Sequence, residues 1–343
     1  DDLIFSTVGS KPPMYDSLVG RAIIIDRKHQ GCLLNQNAVR IRIKSKTKLK
    51  QILLLNHFRT KRYIQFIEEI YRGNANQASI TLNDLFKFLI PQPKSKEEQN
   101  MIAQILSNAD ELIKQLDYLI TKKKNIKQGT MQELLTGEKR LEGFNEKWKE
   151  TTLGKIGIFT KGKGIKKTDI ADTGFSCIRY AEIYTKYDVF VKETQSHISL
   201  DITKESQQIK TGNIIFTGSG ETANEIGKCV VYLGTKQCFA GGDTIIFSSN
   251  RDDSLFLTFL LNFDYVQKQK SSMAQGDMVV HIYSSSLKKL KIKIPQIPEQ
   301  TAIAKILSDM DSEIHELESK RDKYIMIKNG MMQKLLTGEI RLT

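Results

Sequence analysis

The sequence is poor in the residues that covalent or metal-based chemistry needs. Its 343 residues hold four cysteines, Cys32, Cys177, Cys229 and Cys238, with no CxxC pair, and five histidines at no ligand spacing to them. This argues against a disulfide framework or a zinc site, and the thiols read as buried or idle groups in a reducing compartment. Long apolar runs are missing too. The longest, around Leu255 to Phe263, is too short to span a bilayer, and no charged start followed by an apolar run marks a secretory signal. The expectation is a cytoplasmic protein that does not engage a membrane.

Catalytic motifs are equally scarce. Gly218-Ser219-Gly220-Glu221-Thr222-Ala223 fits the GxGxxA dinucleotide pattern, but the β-rich run Cys229 to Leu233 follows where a phosphate-binding helix should begin. Gly227-Lys228 lacks the glycine spacing and the hydroxyl residue of a P-loop. Lys11-Pro12-Pro13-Met14 lacks the acid or amide of an adenine methyltransferase motif. No His, Ser or carboxylate constellation stands out, so the chain reads as a non-enzyme that needs no cofactor of its own.

What is present is positive charge, a moderate apolar content and one long repeat. Lysine and arginine exceed the acids to give a net charge of +13, with a pI near 9.3, which points towards a polyanion. Hydrophobic residues make up 40%, enough for ordinary folded domains. The run from Glu98 to Leu141 returns from Glu299 to Leu342 without an insertion and with about half its positions identical, so two equivalent units are expected.

Within each copy the apolar residues step by four and three. Ile102, Leu106, Ala109, Ile113, Leu116 and Ile120 form the seam in the first, and Ile303, Leu307, Met310, Ile314 and Leu317 in the second. Ser95 with Glu98 reads as a capping box, Pro298 suits a first turn, and Gly137 and Gly338 sit where the patterns stop. Two helices of roughly 35 to 40 residues, on the order of 55 to 60 Å long, are expected to pack on each other as a coiled coil. Each could instead close the core of its own domain.

The segments before the helices also correspond. Asp2 to Ser6 is answered by Asn213 to Thr217, Gly20 to Ile24 by Gly227 to Val231, and Asn37 to Ile41 by Asp243 to Phe247. Strands are expected there, followed by one apolar helix in each segment, from about Leu49 to Tyr71 and from about Leu255 to Lys268. The stretch from Trp148 to about Thr211 has no counterpart before Asp1, so roughly 60 residues of the first domain are expected to be missing, assuming two domains of equal size.

This arrangement resembles the specificity subunit of type I restriction-modification enzymes. The residues that carry the likeness are Pro91 to Leu141 and Pro295 to Leu342, each ending in Leu-Leu-Thr-Gly-Glu-x-Arg-Leu, with weaker echoes at Ile178 to Ile183 and Gly212 to Gly220. The resemblance implies an α+β fold with two repeated α/β target recognition domains, the first incomplete, separated by two long antiparallel coiled-coil helices. It divides the chain into 1–93, the C-terminal part of the first recognition domain; 94–141, a central spacer helix; 142–295, the second recognition domain; and 296–343, a C-terminal spacer helix. It also implies that each domain reads half of a split double-stranded DNA target while the helices fix the gap. Two methyltransferase subunits would carry S-adenosylmethionine and methylate adenine, and two restriction subunits with ATP and Mg would complete a phage-defence complex.

DNA contacts are expected on loops. Lys161, Lys163, Lys166 and Lys167 stand among glycines, suited to phosphates, or else form an exposed basic turn. Arg179 and Tyr180 could reach DNA or anchor a turn. Ser219, Glu221, Thr222, Asn224, Gln275 and Asp277 in the second domain have side chains that can pair with base edges, as do Ser6, Thr7, Ser10, Asn74, Asn76 and Gln77 in the first. The competing reading is a coiled-coil interaction scaffold that binds DNA without sequence preference.

Overall fold

The computed structural model describes residues 2–342 except 12–13, 26–28, 30, 45–46, 74–76 and 277, and the side chain at 16. The first elements are β1 (Leu3–Ser6), β2 (Val8–Gly9), β3 (Ala22–Ile24), β4 (Ala38–Ile41), α1 (Lys48–His57), α2 (Lys61–Ile70), β5 (Ala78–Ser79), α3 (Leu82–Leu85) and α4 (Lys96–Thr136). Then come β6 (Lys149–Thr152), α5 (Leu153–Ile156), β7 (Ile158–Lys161), β8 (Ile170–Ala171), β9 (Phe175–Ile178), α6 (Tyr180–Thr185), β10 (Phe190–Val191), β11 (Ser196–Ile198), α7 (Leu200–Thr203) and β12 (Gln207–Ile209). The last group is β13 (Ile214–Thr217), β14 (Ser219–Gly220), β15 (Cys229–Tyr232), β16 (Cys238–Ala240), β17 (Thr244–Ser248), α8 (Ser254–Leu261), α9 (Asp264–Ser272), β18 (Val280–His281), α10 (Ser284–Leu287), β19 (Lys291–Ile294) and α11 (Ile297–Thr337). The fold is α+β, and no helix is long and apolar enough to cross a membrane among the described residues.

The chain forms two compact units, one of residues up to Lys122 together with those from Ile314 onward, the other Lys123–Glu313. In the first unit β3-β1-β4 is an antiparallel sheet with Leu3 opposite both Ile24 and Ile41. Leu3 and Phe5 alternate onto one face and bury against Leu55, Tyr63, Ile67 and Leu85. Ile23, on the other face, is 54% exposed.

In the second unit the sheet order is β10-β15-β13-β17-β7, with Ile214 opposite both Val231 and Phe247. This is the first unit's register, residue for residue, as aligned from the sequence. Both faces are covered here. Phe216, Val231 and Phe247 pack with Leu257, Leu260, Leu134 and Leu307 of the helices. Ile215, Val230 and Ile246 pack with Ile178, Ile209 and Cys238 of a second sheet, β12-β16-β9-β11-β8, drawn mostly from the stretch that had no counterpart in the repeat.

Each expected apolar helix is in fact a pair. The Thr60 hydroxyl accepts the Tyr63 N–H at 3.2 Å and starts α2 afresh, although Phe58 carries the apolar pattern across the break. In the second unit the break falls at Asn262-Phe263, where the Asn262 amide takes the Cys229 N–H at 3.0 Å and donates to its carbonyl at 2.7 Å.

Helices α4 and α11 have 41 residues each, about 60 Å at 1.5 Å per residue. They stop at Gly137 and Gly338, with φ of +75° and +78°. Ile102, Leu106, Ile303 and Leu307 are fully buried, Leu116 and Ile314 nearly so, and Ile113 and Leu317 half-buried. The expected capping box is only half present. Ser95 Oγ accepts the Glu98 N–H at 3.3 Å, but the Glu98 carboxylate is gripped by Arg341 through Nε at 2.7 Å and Nη2 at 2.6 Å.

That grip is reciprocal across the repeat. In the first unit Glu98 meets Arg341 and Asp110 meets Lys328 at 2.6 Å. In the second, Glu299 meets Arg140 at 2.6 Å and Asp311 meets Lys127. Every partner comes from the other copy of the repeat, and Glu at the start of one helix meets Arg past the end of the other. Within each unit the helix segments therefore run antiparallel in a fixed register. The guanidinium beside Glu98 holds its carboxyl below the usual range.

Candidate nucleic-acid interface

In the second unit one end of the five-stranded sheet gathers most of the loops singled out in the sequence. Lys161 of β7 lies opposite Ile245, and Thr217 of β13 opposite Thr244, so β7 and β13 finish where β17 begins. The Gly218 N–H donates to the Asp243 carbonyl at 2.7 Å, Gly162 N–H to Thr244 at 2.9 Å, and Ile282 N–H to Gly218 at 3.0 Å. Strands β14 and β18 pair beyond this point, with Ser219 opposite His281. Loops 162–167 and 218–226 and the segments 274–276 and 278–283 thus leave together. Tyr184 joins α6 to them by hydrogen bonds to Thr217 Oγ1 at 2.7 Å and the Ser219 carbonyl at 3.1 Å.

The lysine loop is a braced structure. At Gly162 a Cβ would stand 2.0 Å from Thr244 Oγ1, so only glycine fits between β17 and the loop. Ile165 adopts φ of 55° and is 7% exposed, inserted among Cys177, Ile198 and Phe239. Lys161, Lys163, Lys166 and Lys167 are all exposed, and none of their ammonium groups has a carboxylate partner among the described residues, although the Lys166 backbone N–H donates to Asp169 Oδ2 at 2.6 Å. Four ammonium groups on a pinned backbone suit a row of phosphates, because the loop loses little freedom on binding.

The other candidates divide. Glu221, Thr222, Asn224 and Gln275 are exposed, whereas Asp277 lies outside the described residues. Ser219 is 6% exposed and its hydroxyl is bonded to His281 Nδ1 at 3.0 Å. Arg179 is tied down: its N–H reaches Glu182 Oε2 at 3.1 Å and its guanidinium Oε1 at 3.3 Å. The buried Glu182 also takes the Ser196 hydroxyl and Lys186, so Arg179 anchors this corner, while its neighbour Tyr180 is exposed. The structure adds His281 and Tyr283, whose rings stack at 6.5 Å, and the exposed Met278 and Val279 on the same loop. No local pattern in the sequence marked them, because β18, which pairs with the strand of Ser219, is only two residues long and too short for alternation to reveal.

The first unit has the same skeleton at the end of β1. Ser6 N–H donates to Arg21 at 3.0 Å, Thr7 N–H to Asn37 at 2.9 Å and Ile80 N–H to Thr7 at 3.0 Å. Thr217, Gly218 and Ile282 make the matching three bonds in the second unit. The hydroxyls of Ser6, Thr7 and Ser10 are engaged locally, with the Val8 carbonyl, the Asn37 carbonyl at 3.0 Å and Ser17 Oγ at 2.7 Å. Gln77 is exposed, as are Met14 and Tyr15, which the sequence reading did not pick out. Asn74 and Asn76 lie outside the described residues.

Cys177, Cys229 and Cys238 are buried, and burial pushes each thiol up to about 12, where thiolate is scarce at neutral pH. Gly218 to Ala223 enters strand β14 and a turn, not a phosphate-binding helix.

Comparison with known proteins adds a family. A family model described as "Type I restriction modification DNA specificity domain" matches residues 3–128 and 145–325. The chain is 26% identical over 267 residues to the type I restriction enzyme MjaVIII specificity subunit of Methanocaldococcus jannaschii, an alignment covering 74% of this chain and 62% of that protein. It is 24% identical to the putative MjaX specificity subunit of the same organism, over 99% of this chain and 79% of that one. The chain thus spans about three fifths of the first of these relatives and four fifths of the second. Among solved structures, the type I restriction-modification S subunit from M. genitalium superposes with a TM-score of 0.65 at 18% identity, covering 98% of this chain and 82% of that one.

Proposed function

Because this chain belongs to the type I restriction-modification DNA specificity family, we propose that it is a non-catalytic targeting subunit that reads a split double-stranded DNA sequence. Each unit reads one half of the target with the loops at the end of its sheet. Helices α4 and α11, held in register by reciprocal ion pairs, set the gap. The chain carries no cofactor. Two methyltransferase subunits supply S-adenosylmethionine and methylate adenine, and two restriction subunits supply ATP-driven, Mg-dependent cleavage, all in the cytoplasm.

The observation that carries this reading is the repeated loop skeleton, three backbone hydrogen bonds made by Ser6, Thr7 and Ile80 and again by Thr217, Gly218 and Ile282. A shared frame with different exposed side chains is what reading two unlike half-sites requires. The lysine row on loop 161–167 supplies phosphate contacts that place the second frame on the duplex. A scaffold binding DNA without preference has no use for two matched frames, and family membership disfavours it. The test is enrichment of random-sequence DNA by the purified chain with its methyltransferase. A two-part motif with a fixed gap is expected, and no enriched sequence would restore the scaffold reading.

A further inference from the structure

The loop carrying Glu221, Thr222 and Asn224 returns to the sheet through Gly227, which adopts φ of +70°. The Gly227 carbonyl accepts a hydrogen bond from Lys270 Nζ at 2.7 Å. Lys270 lies on α9 and is 0% exposed. Burial pulls its pKa down to about 8, opposed only by the Cys229 thiol, and it forms no ion pair with a carboxylate among the described residues. A desolvated ammonium is a costly way to satisfy one carbonyl.

The first unit meets the same need with different chemistry. Gly20 occupies the position of Gly227, with φ of +86°, and its carbonyl accepts the Tyr63 hydroxyl at 2.7 Å. Helix α2 begins at Lys61 and α9 at Asp264, so Tyr63 and Ile67 correspond to Val266 and Lys270. Ile67 and Val266 are both 0% exposed. The two positions are one turn apart on the same helix face, and each reaches the glycine. A Cβ on Gly20 would meet Ile67 Cδ1 at 2.8 Å, and one on Gly227 would meet Lys270 Cδ at 3.0 Å. The donor has changed places and chemical type between the repeats, yet the carbonyl has kept one.

We propose that Lys270 is the positioning residue of the second reading loop, fixing through Gly227 where Glu221, Thr222 and Asn224 stand, as Tyr63 does through Gly20 for the first. This rests on DNA being read by these loops. A purely packing role would be served by an apolar side chain, as Ile67 shows at the matching position.

The test compares the full chain with Lys270→Met, Val266→Tyr/Lys270→Ile and Tyr63→Phe, measuring melting temperature and base discrimination at each half of the wild-type target. Lys270→Met should melt close to wild type, because the buried charge it removes offsets the donor that the Gly227 carbonyl loses. It should lose about tenfold discrimination in one half only, the scale of a hydrogen bond from a charged donor. The double variant should regain it, and Tyr63→Phe should weaken the other half alone. Wild-type discrimination by Lys270→Met, or a loss spread over both halves with a lower melting temperature, would overturn the assignment while leaving DNA reading intact. A wild-type chain that selects no sequence would sink both.

Discussion

Removing the lysines of the braced loop gives a quantitative test of how the second unit would hold DNA. Replacing Lys163, Lys166 and Lys167 together by alanine leaves the fold in place, since all three are exposed and the loop is pinned by Gly162 and Ile165. If each neutralises one phosphate, the slope of log affinity against log salt falls by ~2.7, because each contact contributes ~0.9. The wild-type advantage then narrows by ~40-fold when salt is raised about fourfold. Titration of a labelled duplex at several salt concentrations, by fluorescence anisotropy, reads this directly. The loss should be the same on any DNA sequence, because phosphate contacts carry no base information. Parallel salt lines for variant and wild type would refute the placement of this loop on the backbone.

The register of the helices makes a second prediction. Four residues inserted into both helices, between 117 and 123 in α4 and between 313 and 321 in α11, add ~6 Å and should lengthen the gap by one to two base pairs. The same insertion in one helix alone puts Glu98–Arg341 and Asp110–Lys328 out of step with Glu299–Arg140 and Asp311–Lys127, and should abolish selective binding. An unchanged gap after the double insertion would end the ruler reading. Stability should also depend on pH through His57, 3% exposed and pulled from 6.5 to about 4, first by burial and then by Arg62. Between those values the unfolded chain binds a proton that the native one does not, so stability falls as pH drops from 6.5 towards 4, by at most ~3 kcal/mol. The difference in urea stability between His57→Phe and wild type should change across that window. A difference independent of pH would contradict it.

The repeat made much of the architecture legible. Aligning Asp2 with Asn213, Gly20 with Gly227 and Asn37 with Asp243 already contained the strand registers, because strands that pair alike carry their apolar alternation alike. The heptad seam gave both long helices for the same reason. What stayed hidden depended on single polar contacts. The breaks after α1 and α8 interrupt no apolar pattern, and a Thr60 cap or an Asn262 bridge shows itself only once the partner backbone is placed. Glu98 reads as half of a capping box until Arg341, far along the chain, takes its carboxylate. Within the loops, residue type could not tell Asn224, exposed, from Ser219, which is enclosed against His281, nor reveal that Arg179 is held by Glu182. Those distinctions arise from burial and tertiary hydrogen bonds, to which a local pattern is blind.

The most direct test of the central claim is a base-resolution methylation map of DNA from cells that express this chain's full gene with the adjoining methyltransferase. The account predicts a two-part motif with a fixed gap and a methylated adenine in each half. An unsplit motif, or no sequence-dependent methylation at all, would contradict it.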